Sequence, residues 1–379
     1  MLDRTKVEID TVILKVASRC NIDCRYCYVY NMGDAGWTRG PKQISRETCQ
    51  AAAKEIGCLA REQRRPIVVV LHGGEPLLLG ISNLKFVISN LRAELPPENP
   101  ICIQTNGILI NPEILDLCAR ARVTLSISID GPRHVHDQNR VGFDGDGTFD
   151  KVLAGITQLQ AHPDSEFLFT GLLAVVDPES DPHEVYSFFK GIGPPSVDFI
   201  YKDGNHSRLP EGKASPATTE YGTWMATLLD AYLADSNPIP IRILDDTIKL
   251  VLGGFGVKEG IGVNNYGIMV IDTDGSVAKN DTLKSSFDGA DRFREPWSVH
   301  THHLSAILAT ADFSEYQAMQ RPSNPTCIAC PELRVCGGGM TLQRWSKENG
   351  YDNPSVYCED QKLLIGRVRE RVASFGVAG

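Results

Sequence analysis

Six short runs rich in β-branched residues lie within the first 205 positions, and segments of helical character alternate with them. This alternation confines the chain to a parallel α/β sheet or barrel, because parallel neighbours need a crossover between them. The runs are 11–16, 66–71, 100–104, 123–129, 167–176 and 197–201. Six units are too few to close an eight-stranded barrel. The pattern therefore predicts an open, partial (β/α)6 barrel of the TIM type. The helical segments carry start signals. Ser45 caps RETCQAAAKEIGCLAREQ, and Pro112 follows Asn111 at a first helical position. Thr148 is placed to cap FDKVLAGITQLQA, and HEVYSFFKGI follows Pro182.

Beyond Tyr201 the texture changes. KDGNHSRLPEGKASPAT is rich in Gly, Pro and Ser and reads as a loop or linker. Helices are expected near 218–234 and 244–252, and YGIMVIDTDGSVAKN reads as a hairpin that turns at Thr273-Asp274-Gly275. The last third is irregular until a final helix at about 360–373. The expected organisation is a barrel over 1–205, a linker with helices over 206–255, and a further domain over 256–379.

Lys+Arg number 38 and Asp+Glu 47, a net charge of −9. That balance argues against general nucleic-acid binding and against a polybasic membrane anchor. No run of 18 apolar residues occurs, and the first ten residues lack the apolar core of a signal peptide. A cytoplasmic protein with reduced thiols is expected. The 11 cysteines then call for chemistry other than disulfides.

Seven of them form two groups. SRCNIDCRYCYVY places Cys20, Cys24 and Cys27 in a C-x3-C-x2-C loop directly after the first strand. A closed zinc site wants four ligands. Three soft thiolates with no nearby His leave a position open and favour iron–sulfur, with a zinc knuckle completed from elsewhere as the alternative. TCIACPELRVCGGG places Cys327, Cys330 and Cys336 together, and Cys358 follows. Four thiolates satisfy zinc or a fully ligated [4Fe–4S] cluster equally well. Cys49, Cys58 and Cys102 read as core packing, and His302-His303 as a solvated loop without matching carboxylates. Trp37 is expected to cover the cysteine loop, to line a substrate groove, or to pack on the surface.

CNIDCRYC, with aromatic Tyr26 before its last cysteine, resembles the signature of radical S-adenosylmethionine (SAM) enzymes. The resemblance implies that Cys20, Cys24 and Cys27 hold a [4Fe–4S] cluster whose open iron chelates SAM. Reductive cleavage of SAM would then yield a 5′-deoxyadenosyl radical. LHGGEP is similar to the family's GGE motif, which implies that Gly73, Gly74 and Glu75 meet the SAM amino group. Asn106 of QTNG belongs to the same set, and Ser128 and Arg140 are implied to reach the SAM carboxylate or ribose. Independently of the family, each motif falls at the C-terminal end of an expected strand, where α/β barrels build active sites.

The second cysteine group resembles the SPASM extension of radical SAM peptide-modifying enzymes. By that resemblance Cys327, Cys330, Cys336 and Cys358 hold an auxiliary [4Fe–4S] cluster. A full SPASM domain carries three more cysteines for another cluster. Here Gly275-x4 arrives at Asn280, VKEGIGVNN has no Cys, and position 340 is Met. Two clusters in all are therefore expected. Asp281 follows Asn280, and the likeness of this hairpin to anaerobic sulfatase maturases implies a general base; a raised pKa is expected for a carboxylate in a dry site. The alternative is a turn-capping Asp.

Over about residues 8–370 the chain resembles FxsB/GrrM-type peptide maturases, which join an aromatic ring to a nearby β-carbon as a three-residue cyclophane. The resemblance implies a ribosomal precursor peptide as substrate and a donor such as flavodoxin or ferredoxin. Loss of one electron and one proton would restore the ring, through the auxiliary cluster and Asp281. Thioether formation, epimerisation and formylglycine generation are the alternatives. The last is disfavoured by the missing cysteines. A non-catalytic cluster-binding regulator is the reading from another class. The acidic balance points to a basic leader, which would dock without a separate N-terminal domain.

Overall fold

The structure is a computed structural model that describes residues 8–374. Numbered along the chain, its strands are β1 (Thr11–Ala17), β2 (Asp23–Cys24), β3 (Val68–Gly73), β4 (Ile101–Thr105), β5 (Val123–Ser128), β6 (Arg140–Val141), β7 (Phe169–Val175), β8 (Val197–Ile200), β9 (Ile268–Ile271), β10 (Ser276–Ala278) and β11 (Arg292–Ser298). The six expected barrel strands are β1, β3, β4, β5, β7 and β8. The expected hairpin is β9–β10, closed by Gly275 N–H on the Asp272 carbonyl. Among the described residues no helix is long and apolar enough to cross a membrane.

The chain divides into two compact units. The first comprises the residues up to Ser128, Asp137–Thr170 and Tyr266–Gln317. Its sheet runs β11-β10-β9-β1-β3-β4-β5, with β9, β1, β3, β4 and β5 parallel. Helices Arg46–Glu62, Gly80–Glu94 and Pro112–Ala121 make the crossovers. Val12, Leu14, Val69, Leu71, Ile103, Leu125 and Ile127 lie on one pleat face and are wholly buried. The opposite face turns polar toward the strand ends: Lys15 is in register with His72, and Gln104 with Ser126. A side-chain period of two thus separates structure from chemistry along one strand.

The caps follow local chemistry. Ser45 Oγ accepts from Thr48 N–H at 3.0 Å, and Asn111 Oδ1 accepts from Ile114 N–H at 3.0 Å. Thr148 departs from expectation. Its hydroxyl donates to the Arg140 carbonyl at 2.7 Å, and Asp137 Oδ1 takes the Phe149 N–H at 2.9 Å instead. A carboxylate is the stronger acceptor for the open N–H groups of a helix start.

The second unit comprises Ile129–His136, Gly171–Asn265 and the residues from Ala318. In it β7 and β8 pair in parallel around helix Pro182–Ile192. Helices Glu220–Ala234, Arg242–Val251 and Cys358–Ser374 pack together there. Lys213 and Asp360 form a fully buried pair at 2.5 Å, and Asp360 also accepts from Gly222 N–H at 2.7 Å. A Cβ at Gly222 would come within 2.5 Å of Asp360 Cα, so the glycine sets how closely these helices approach.

Candidate active site

In the first unit the C-x3-C-x2-C loop leaves the end of β1 and is held from several sides. Its Cys24 is in register with Arg140 across the β2–β6 pair, and Arg25 N–H donates to the Asn139 carbonyl at 3.0 Å. Arg140 Nη1 donates to the Tyr26 hydroxyl at 3.0 Å, which brings two of the expected SAM contacts together. Asn106 Nδ2 reaches Asn21 Oδ1 at 2.7 Å and Cys20 Sγ at 3.8 Å. Burial pushes the Cys20 thiol up to about 11. Trp37 packs edge-on against Tyr30 and under the Arg19 guanidinium, two residues that flank this loop.

The two glycines of GGEP approach the cysteine loop itself. A Cβ at Gly73, whose φ is +135°, would lie 1.9 Å from the Ala17 carbonyl oxygen. One at Gly74 would lie 2.0 Å from the Tyr30 hydroxyl. Only glycine permits both contacts. Gly74 and Glu75 N–H donate to the carbonyls of Ala17 and Arg19 at 2.9 and 3.0 Å. Glu75, expected to meet an ammonium, is wholly buried. Its Oε1 accepts from Thr105 Oγ1 (2.7 Å) and Leu77 N–H (2.9 Å), and its Oε2 from Asn106 N–H (2.8 Å). It ties the end of β3 to the end of β4. Ser128 accepts from Gln104 Nε2 at 2.9 Å on the polar pleat face.

Asp281 begins a short 3-10 turn after β10 and is 1% exposed. Its Oδ1 lies 2.7 Å from Lys15 Nζ and 3.1 Å from Lys284 Nζ, and its Oδ2 accepts from the Tyr28 hydroxyl at 3.1 Å. The raised pKa expected for this carboxyl is corrected here. Burial alone would raise it, but the Lys15 and Lys284 charges outweigh that and hold it well below the usual carboxylate range. Asp281 is therefore ionised, and it caps nothing through its side chain; Asn280 Oδ1 serves that role for Thr282 N–H.

Two residues of this site escaped the sequence reading. Lys15 interrupts the apolar run TVILKVA at an inward position, and that break is the signal that could have found it. His72 precedes the glycines, and its Nδ1 is buried with no hydrogen-bond partner. Burial drives its imidazole down to about 4 against the pull of Asp281, so the ring is neutral at pH 7.

In the second unit Cys327, Cys330, Cys336 and Cys358 line one cavity with Lys362. Asn324 caps the turn that carries Cys327, and the helix ending at Cys336 closes on Gly337 with φ +66°. A Cβ there would lie 1.9 Å from the Gly262 carbonyl oxygen. Cys358 opens the last helix, whose N-terminal dipole favours a thiolate. Burial pushes the Cys336 thiol up to about 12, and the Arg344 guanidinium acts on Cys327 in the opposite sense. Arg344, 1% exposed, donates to the Met319 carbonyl and keeps Nε without a hydrogen-bond partner. Among the described residues no three His, Cys, Asp or Glu side chains close on a single metal ion.

Of the three cysteines read as core packing, Cys49 is buried, whereas Cys58 and Cys102 are half-buried. His302 and His303 lie exposed in a loop as expected, but the loop does meet a carboxylate: His303 Nδ1 lies 3.2 Å from Glu55 Oε2.

A mostly parallel α/β sheet with a three-thiol loop at the end of its first strand defines the class. Residues 14–188 match the family model described as "Radical SAM superfamily". The chain is 24% identical over 362 residues to the "Cysteine-type anaerobic sulfatase-maturating enzyme" of Clostridium perfringens, covering 93% of this chain and 94% of that one. It is 28% identical over 366 residues to the serine-type enzyme of Bacteroides thetaiotaomicron, covering 89% and 83%. The solved structure "Native anSMEcpe with bound AdoMet" shares the fold, with a TM-score of 0.82 at 22% identity over 96% of this chain and 99% of that one.

Proposed function

We propose that the chain is a radical SAM peptide maturase that oxidises a side chain at its β-carbon. The observation that carries this reading is the hydrogen bond from Tyr28, the neighbour of Cys27, to buried Asp281. It joins the three-thiol loop to an ionised carboxylate. Cys20, Cys24 and Cys27 would hold a [4Fe–4S] cluster, with Tyr26, Gly73, Gly74, Glu75, Asn106, Ser128 and Arg140 forming the walls for SAM. Cluster and SAM, when bound, supply abstraction of hydrogen from an unactivated carbon. Asp281 takes the proton released as the substrate is oxidised. A carboxylate of low basicity suffices, because a side chain that has lost an electron gives up its proton readily. Lys15, Lys284 and Tyr28 fix that carboxylate in place.

Cys327, Cys330, Cys336 and Cys358 would hold an auxiliary [4Fe–4S] cluster suited to accepting one electron. Its four thiolates leave an anionic assembly in a buried site, and Arg344 supplies the compensating charge. Arg344→Gln is expected to lower the midpoint potential of that cluster, because a cluster with less positive surroundings is harder to reduce. An EPR-monitored redox titration reads the shift, and an unchanged potential would remove Arg344 from this role. Reconstituted protein should carry about eight irons; a count near four or twelve would overturn the two-cluster reading.

The sulfatase maturases among the relatives favour conversion of a peptide Cys or Ser to an aldehyde. Asn280 and Met340, standing where a full set of SPASM cysteines would continue, keep the cyclophane as the second reading. A ribosomal peptide is the substrate in either case, with a flavodoxin or ferredoxin as donor. The test is anaerobic incubation with a sulfatase-motif peptide, beside co-expression with short reading frames adjacent to the gene. A hydrazide-reactive carbonyl supports the first reading. Loss of two hydrogens, with fragmentation silent across an aromatic three-residue segment, supports the second. SAM cleavage that leaves every peptide unchanged in mass and in deuterium content would sink both.

A further inference from the structure

A cavity of about 740 Å³ lies wholly within the first unit, lined by the 34–40 loop, by Lys284 and by strand β11. Its charges are unevenly matched. Arg39 and Arg292 both turn to Asp288, at 3.9 and 3.5 Å, and Arg294 pairs with Glu315. Lys284 is divided among Asp281, Asp291 and Asp272. Two carboxylates in the wall are left short of donors. Asp34 is 4% exposed; its Oδ1 accepts from Gly36 N–H at 2.7 Å and its Oδ2 has no partner. Asp291 is also 4% exposed; its Oδ2 faces Lys284 at 3.5 Å and its Oδ1 has no partner.

Buried acceptors without donors are rare, because their lost hydration is not repaid. Burial pushes the Asp291 carboxyl up, and the nearby Asp34 charge adds to that despite Lys284. Both carboxylates thus line one cavity, and each keeps one oxygen without a donor, since Lys284 reaches only Oδ2 of Asp291. No third His, Cys, Asp or Glu joins them in a metal-sized group among the described residues. A guanidinium offers several N–H donors in a rigid fork and can serve two carboxylates at once, and an ammonium offers three donors. Phe293, Pro296 and Trp297 line the same cavity and provide an apolar wall for the methylene stem of such a side chain.

We infer that this cavity receives an arginine or lysine side chain of the peptide substrate, anchored by Asp34 and Asp291. The inference rests on the peptide-maturase reading and adds a specificity pocket to it. The substrate is unidentified, so the probe is a random mRNA-displayed peptide library, selected anaerobically on the reconstituted, SAM-loaded full chain. Selected peptides should share a basic residue at one position. Asp34→Asn with Asp291→Asn should weaken that preference at least about tenfold, the loss of a charge-assisted pair. Circular dichroism and thermal melting confirm that the variant is folded. A second arm needs no variant: N-acetylarginine methylamide should displace a selected peptide, and N-acetylnorleucine methylamide should not.

A selected set without a basic position, a preference that survives in the double variant, or equal displacement by both amides would each overturn the inference while leaving SAM cleavage in place. Absence of SAM cleavage by the unaltered enzyme would instead overturn the underlying reading, and this inference with it.

Discussion

Replacing Cys20, Cys24 and Cys27 together with Ala reduces SAM cleavage to below about a thousandth of the unaltered rate, since the electron that breaks the bond has no other route. Cys327→Ala with Cys330→Ala leaves cleavage in place and removes the peptide product. The contrast follows from how the two groups of thiols are built. The first sits on a loop held by the β2–β6 pair, by Asn106 and by the glycines of GGEP, all in one compact unit. The second is set by the Asn324 cap, by Gly337 and by the start of helix Cys358–Ser374 in the other unit. Chromatography of 5′-deoxyadenosine beside peptide mass spectrometry separates the two effects. Were the second variant to lose cleavage with its fold and its remaining iron intact, the division of labour between the groups would be wrong.

Much of this scaffold was legible from residues alone. The six barrel strands announce themselves as β-branched runs, because strands buried between crossover helices need apolar residues at nearly every position. Strand β11 escaped notice for the converse reason. Its sequence RFREPWS is charged and contains a proline, as suits a strand at the edge of a sheet, where long charged side chains and a missing N–H do no harm. At the site, the cysteines were visible by spacing, but the use of Glu75 and Asp281 was not. A carboxylate's behaviour depends on what closes around it. The backbone N–H groups at Leu77 and Asn106, and the ammoniums of Lys15 and Lys284, come from segments remote in sequence or from turns whose geometry a string of letters does not show. Thr148 illustrates the same limit at smaller scale: the N–H it was expected to cap goes instead to Asp137, 11 residues earlier in the chain.

Lys15→Met is the substitution with the largest expected effect away from the cysteines. Lys15 has a side chain 4% exposed and stands 2.7 Å from Asp281, itself 1% exposed. Removing one member of a buried pair leaves its partner uncompensated, at about 3–5 kcal/mol. Lys284 remains at 3.1 Å, which places the loss toward the lower end of that range. The sign with pH follows from the depressed carboxyl of Asp281. A group whose pKa falls on folding contributes its stability above its unfolded value and loses it as pH drops through the folded one. The melting temperature of Lys15→Met should therefore lie several degrees below that of the unaltered protein at pH 7, and the gap should close only in strong acid. In an Asp281→Asn background the same substitution should cost much less, since the interaction it removes is already gone. Product formation should fall about 100-fold or more in both single variants with SAM cleavage retained, because the proton acceptor is misplaced in one and absent in the other. Equal costs of Lys15→Met in the two backgrounds would show that the pair contributes nothing, and full product from Asp281→Asn would remove Asp281 from the chemistry.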